Sequence, residues 1–197
     1  MLKTVSTDRV ALGDDVTVTN IPEYAFDLYD TLAAIVSSRH VTHYLEIGVN
    51  FGVSLRCVLK HTSGLDRITL IDAWNRTYGG ACNDDDHIMR MLTKRGFDMQ
   101  AVTSLTGDSH LILPDLDGTF DLILVDGDHS FAGCWADMVN AWDHLAVGGS
   151  MLVDDVTHPS HSYLLECCQR FATDYDVEGI AVTRKRHGVA VFKKEAP

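Results

Sequence analysis

The chain has 197 residues, 46% of them hydrophobic, with 28 acidic against 16 basic side chains and a formal net charge of −12. This fits one globular domain, residues 1–197, whose core folds without disulfides or a structural metal, and its charge excludes polyanions such as nucleic acid and anionic membrane as expected partners. No run approaches the roughly 20 apolar residues that cross a bilayer and the start MLKTVSTDRV lacks the apolar stretch of a signal peptide, so a cytoplasmic protein is expected.

In chain order, Pro22 opens a helix carrying Tyr24, Leu28, Leu32 and Ile35. From residue 42 short aliphatic runs alternate with amphipathic segments, the pattern of a parallel sheet with crossover helices. Strands are expected at Tyr44–Ile47, Ile68–Ile71, Ala101–Val102, Leu122–Val125 and Met151–Val153. The stretch from Trp74 to about Asn83 has no periodicity and reads as a long loop, followed by Asp84-Asp85-Asp86 as the acidic first turn of a helix with Ile88, Met89 and Leu92. Phe131, Trp135, Met138, Val139, Trp142 and Leu145 recur at steps of three or four and predict a helix stopped by Gly148-Gly149. Leu164, Cys168 and Phe171 mark a helix after Pro159. Ile180–Val182 and Val189–Phe192, joined across Arg184-Lys185-Arg186, predict an antiparallel hairpin that finishes the sheet. The five cysteines lack C-x-x-C spacing and are read as small buried hydrophobes.

Ligands of open α/β sheets bind beyond the carboxyl ends of the strands. The first of these ends in Glu46-Ile47-Gly48-Val49-Asn50-Phe51-Gly52-Val53-Ser54, where Gly48 and Gly52 allow a tight turn with close backbone approach and Ser54 sits near the start of the next helix. Asn50 occupies the second glycine position of the dinucleotide fingerprint, which disfavours a nicotinamide cofactor. Asp72 ends the second strand, placed to accept hydrogen bonds from a ribose diol, and Gly107-Asp108-Ser109 follow the third, facing a nucleobase edge. The fourth strand runs into Asp126-Gly127-Asp128-His129 and the fifth into Asp154-Asp155. Adjacent parallel strands bring Asp126, Asp154 and Asp155 to one point, where three carboxylates repel unless a hard divalent ion relieves them; all-oxygen ligation suits Mg²⁺.

This succession resembles the class I S-adenosylmethionine-dependent methyltransferases from about Tyr44 to Phe192. Glu46, Gly48 and Gly52 look like the family's first motif, Asp72 like its ribose site, and Gly107-Asp108-Ser109 like its adenine-side motif. The resemblance implies a Rossmann-like, doubly wound seven-stranded α/β sheet with a reversed, antiparallel terminal strand, in agreement with the hairpin. It implies S-adenosyl-L-methionine bound by Glu46, Gly48, Gly52, Ser54, Asp72, Asp108 and Ser109. The acidic cluster is similar to that of metal-dependent O-methyltransferases. His129 stands where the catechol and caffeoyl-CoA type has Lys, and Asp155 where it has Asn, so the pattern looks closer to the macrocin and mycinamicin sugar O-methyltransferases. The implied reaction is methylation of a hydroxyl on a small molecule, with Mg²⁺ on Asp126, Asp154 and Asp155 and His129 as general base, whose ordinary pKa of about 6.5 leaves it neutral at physiological pH. His158 and His161 follow the fifth strand closely enough to line an acceptor pocket. Related enzymes often complete their sites by association, so a homo-oligomer is one of the states the sequence leaves open. Two alternatives stay open: a metal-independent methyltransferase, and a nucleoside-binding module without catalysis.

Overall fold

The computed structural model describes residues 2–6, 28–62, 64–74, 77–78, 81–82, 84–183 and 187–196. Ten strands and six α-helices follow in order: β1 (Leu2–Ser6), α1 (Leu28–Ser38), β2 (His43–Ile47), α2 (Val53–His61), β3 (Arg67–Asp72), β4 (Thr77–Tyr78), β5 (Ala81–Cys82), α3 (Asp85–Lys94), β6 (Val102–Thr106), α4 (Ser109–Ile112), β7 (Phe120–Val125), α5 (Phe131–His144), β8 (Leu145–Val153), α6 (Tyr163–Asp174), β9 (Gly179–Thr183) and β10 (Val189–Lys193). The main sheet has the order β1-β9-β10-β8-β7-β2-β3-β6. β10 runs antiparallel to both β8 and β9. Seven strands therefore form the expected doubly wound sheet with a reversed last strand. The eighth, β1, pairs parallel to β9 at the edge and has no counterpart in the sequence reading.

The central strands are apolar on both faces, as burial between two helix layers requires. Alternate residues of β2 and β7 go to opposite layers: Leu45, Ile47, Ile123 and Val125 pack with α5 and α6, while Tyr44, Leu122 and Leu124 pack with α1, α2 and α3. Cys134, Cys167 and Cys168 are buried free thiols within the first layer, as expected, and Cys57 is half-buried.

Two expectations shift. The α5 stripe holds, but the helix ends at His144 and Leu145 opens β8, which runs on through Gly148-Gly149. Its backbone N–H and C=O groups find partners in the sheet, so the glycine pair bends a strand and does not stop a helix. The 74–83 stretch is no plain loop, because Thr77–Tyr78 and Ala81–Cys82 pair as a two-rung ladder. Helix α1 is described from Leu28; Pro22 and Tyr24 lie outside the described residues, as does the Arg184–Arg186 turn of the β9–β10 hairpin.

The chain leaves β2 for β3 and β6 on one side, then crosses to β7 and β8 on the other, so the sheet's topological switch lies between β2 and β7. A crevice opens at the carboxyl ends of strands at such a switch.

Candidate functional site

Past the strand ends the pairing continues for one more residue. Gly48 N–H donates to Ile71 C=O at 2.9 Å, Asp126 N–H to Ile47 C=O at 2.9 Å, Gly107 N–H to Asp72 C=O at 2.9 Å and Asp154 N–H to Val125 C=O at 3.1 Å. These bonds fix where each following side chain starts, which is why residues distant in sequence reach one edge. Gly48 has φ +82°, and a Cβ there would fall on the Asp126 carbonyl and against the Gly127 Cα. Only glycine lets the β2 turn pass this close to the end of β7. Gly52, at φ +64°, precedes α2 and gives it no side-chain cap, leaving the first amides of that helix for another acceptor.

Asp72 holds this turn in place. Its Oδ2 accepts from Val49 N–H at 2.8 Å and Asn50 N–H at 2.9 Å, and its Oδ1 from Trp74 N–H at 3.0 Å. A carboxylate offers about four acceptor positions, so three are spent on backbone and about one is left for a ligand hydroxyl. Asn50 and Trp74 both sit at positive φ, 49° and 30°. Such conformations cost of order 1–3 kcal/mol and persist where the surroundings over-determine them.

Glu46 and Ser54 require a correction. Both were expected against the cofactor, yet Glu46 is wholly buried and Ser54 nearly so. Glu46 accepts from Tyr44 O–H at 3.0 Å and from Ser54 O–H, forming a polar network beneath the turn. The alternation of β2 explains this, since Tyr44 and Glu46 point to the same layer and α2 closes over them. Burial pushes the Glu46 carboxyl up to about 8, partly offset by its two hydrogen bonds. These residues support the turn from below. Asp108 caps α4 by accepting from His110 N–H at 3.0 Å and is exposed, while half-buried Ser109 opens that helix.

At the ends of β7 and β8 the acidic residues and His129 gather. His129 Nε2 lies 3.3 Å from Asp126 Oδ1 and 3.6 Å from Asp155 Oδ2. The following helix starts at Ser130, whose hydroxyl accepts from Gly133 N–H at 3.0 Å, so Ser130 takes the capping role and leaves His129 free to face the edge. Asp128 Oδ1 accepts from Ser130 N–H at 2.8 Å. Burial, with Asp126 next in size, pushes Asp154 up to about 8, and burial also raises Asp126. The Asp126 carboxylate, 3.3 Å away, holds His129 above its ordinary value, against the effect of burial.

Two buried polar atoms here, Asp154 Oδ1 and His129 Nε2, lack a hydrogen-bond partner. Two carboxyls whose proton affinity burial raises, and an orphaned buried oxygen, fit a cation that takes the proton's place. The three carboxylates do not close on a point. Among the described residues, the three-residue group whose ligand atoms all lie within 4.8 Å of one another is Asp155, His158 and His187. The sequence reading placed His158 near this edge; His187 joins Asp155 only through the fold-back of the β9–β10 hairpin. His161 lies between His129 and His158, with ring centroids 5.0 Å from each.

Among the described residues, no helix is long and apolar enough to cross a membrane. A family model described as "Methyltransferase domain" matches residues 45–156. No curated protein sequence matches. Among solved structures the chain is similar to the O-methyltransferase TomG of Streptomyces achromogenes, involved in tomaymycin synthesis and solved in complex with SAM (20% identity, 84% of this chain and 78% of that one, TM-score 0.67). It is also similar to a putative caffeoyl-CoA O-methyltransferase of Staphylococcus aureus (14% identity, 84% and 82%, TM-score 0.65). The N-methyltransferase NodS of Bradyrhizobium japonicum has the same fold (17% identity, 85% and 94%, TM-score 0.57).

Proposed function

Because the chain belongs to the methyltransferase-domain family, we propose that it transfers a methyl group from S-adenosyl-L-methionine to a hydroxyl of a small molecule with the help of a divalent cation, Mg²⁺ by preference. The observation that carries the hydroxyl reading is His129 held within 3.6 Å of two carboxylates at the sheet edge, a general base beside anionic groups, in a fold that O- and N-methyltransferases share. A pure nucleoside binder has no use for such a base.

The fit to S-adenosylmethionine rests on the β2 turn. The uncapped start of α2 suits the methionine carboxylate, since helix N-termini favour anions. The remaining acceptor position of Asp72 suits a ribose hydroxyl, and Asp108 with Ser109 stands beside the nucleobase end. Glu46 and Ser54 act by positioning the turn. Asp126, Asp154 and Asp155 would hold the cation, which fits the raised proton affinity of Asp126 and Asp154 and the partnerless Asp154 Oδ1. When bound, the sulfonium cofactor supplies an electrophilic methyl group and the cation supplies charge that favours ionisation of an acceptor hydroxyl. His129 takes the hydroxyl proton at Nδ1, while Nε2, 3.3 Å from Asp126 Oδ1 and 3.6 Å from Asp155 Oδ2, keeps its hydrogen toward the carboxylates, which orient the ring and stabilise the imidazolium that results. The net charge of −12 keeps polyanionic acceptors away.

Calorimetry tests the cofactor: the folded protein should bind S-adenosylmethionine, and absence of binding sinks the proposal. For the cation, EDTA should abolish turnover of hydroxylated acceptors and Mg²⁺ restore it. A metal-independent reading has one observation in its favour, that Asp126 and Asp155 already orient His129. Full activity in EDTA would select it.

A further inference from the structure

Asp155 faces two ways. Its Oδ2 points to His129 at 3.6 Å, toward Asp126 and Asp154, while its Oδ1 lies 2.6 Å from His187 Nδ1. His158 completes the second side, its ring 5.1 Å from that of His187. We propose that Asp155, His158 and His187 form a second cation site that takes a borderline transition metal, with zinc as the type, beside the oxygen-only side at Asp126 and Asp154 and sharing Asp155 with it.

The ligand atoms of the three residues all lie within 4.8 Å of one another. Two atoms bound at about 2.0–2.2 Å to one tetrahedral ion lie about 3.4 Å apart, so closing the site takes side-chain movements of up to about 1.4 Å. The framework is already built. Asp155 and His158 bracket one turn, closed by His158 N–H donating to Asp155 C=O at 3.0 Å. That turn is clipped to the hairpin by Val156 N–H to Gly188 C=O at 3.2 Å and by Thr157 N–H to His187 C=O at 2.6 Å. The Thr157 hydroxyl also donates to the His187 carbonyl. Asp155 is held at φ 58°, which turns its side chain back toward the hairpin.

The donor set decides the metal. Two imidazoles and one carboxylate suit zinc, cobalt or nickel, whereas three carboxylates suit Mg²⁺. Both histidines can reach the ligating form. At His187 a metal on Nδ1 displaces the proton shared with Asp155, and the tautomer carrying it on Nε2 is tolerated because the side chain is 56% exposed. At His158, Ser160 N–H donates to Nδ1 at 3.2 Å, and this long bond is exchanged for coordination whichever ring nitrogen ligates. Three protein ligands leave further positions for water or an acceptor oxygen, as in open zinc sites. His161, stacked between His129 and His158, forms the wall between the two sides.

This inference shares Asp155 with the function proposed above but does not depend on that reading. The test is a Co²⁺ titration of metal-stripped full-length protein in saturating Mg²⁺, followed by visible absorption, with melting curves as the folding control. One Co²⁺ per chain should bind and give the absorption of a low-coordinate nitrogen and oxygen site. H158A and H187A should each weaken it by at least about 100-fold, the upper end of what losing even an outer-shell partner costs. D126N and D154N should keep the band, whatever they do to Mg²⁺-dependent turnover. The proposal is overturned if the histidine variants bind Co²⁺ as tightly as wild type, if excess Mg²⁺ prevents Co²⁺ binding, or if D126N alone removes the band.

Discussion

Replacing Asp72 separates a structural role from a ligand contact. The side chain accepts three backbone N–H bonds at 2.8, 2.9 and 3.0 Å, from Val49, Asn50 and Trp74. A hydrogen bond to a charged group contributes about 1.5–3 kcal/mol. Asp72 is only half-buried, so water replaces part of the loss. D72A should therefore destabilise the fold by about 3–5 kcal/mol, a fall of roughly 10 °C in Tm for a domain of this length. D72N keeps one carbonyl oxygen, enough for the Val49 and Asn50 pair but not for Trp74, and should lose about half as much. Urea denaturation at fixed pH, with calorimetry of S-adenosylmethionine at a temperature where both variants are folded, reads the two effects apart. If D72A were within about 1 kcal/mol of wild type while cofactor binding vanished, Asp72 would be a ligand contact alone and the turn would owe nothing to it.

Gly48→Ala drives a Cβ into backbone at Asp126 and Gly127, so it should cost about 3 kcal/mol or more; an unchanged urea midpoint would mean that the two loops are not in contact. Glu46 has a raised folded pKa of about 8 against 4.5, so the unfolded chain ionises first and stability falls as pH rises from about 4.5 to 8, by about 1.4 kcal/mol per unit at most. E46Q, which keeps a partner for Tyr44 and Ser54, should gain on wild type across that window in denaturation curves at pH 5 and pH 9; the reverse ranking contradicts a buried neutral Glu46. His129→Ala should lower kcat by about 10²–10⁴-fold with S-adenosylmethionine affinity unchanged. Because Asp126 raises the His129 pKa in the cation-free protein, an NMR titration of metal-stripped protein should place this imidazole above its ordinary value of about 6.5. A titration below that value would mean that Asp126 does not face the ring.

Local patterns carried much of this protein. Repeating apolar steps marked α5, and short aliphatic runs marked β2, β3, β7 and β8, because burial of a face imposes a period that a single sequence displays. Asp72, Asp126, Asp154 and Asp155 were visible as strand-end acids, since the carboxyl edge of a parallel sheet is where such residues meet. Side-chain direction within one step of a strand end was not visible. Glu46 lies one residue before the end of β2 and Asp72 ends β3, yet one is sealed under α2 and the other cradles the turn, a difference set by the pleat and by the positive φ values at Gly48, Asn50 and Gly52.

Long-range partnerships needed the tertiary structure for a different reason. β1 has too little length and pattern to declare itself, and it becomes a strand only because the edge of β9 offers unpaired backbone. His187 stands 32 residues from Asp155, and nothing in its neighbourhood in the sequence points there. The hairpin brings it back beside β8 through antiparallel pairing, and two backbone bonds from Val156 and Thr157 hold it at the edge. The sequence alone determined the class of fold, the reversed last strand and the acids at the carboxyl edge, because these depend on local period and strand order. Which polar groups touch a ligand, which support it from below, and which histidines join the acids were decided by turn geometry and by contacts between segments far apart in the chain.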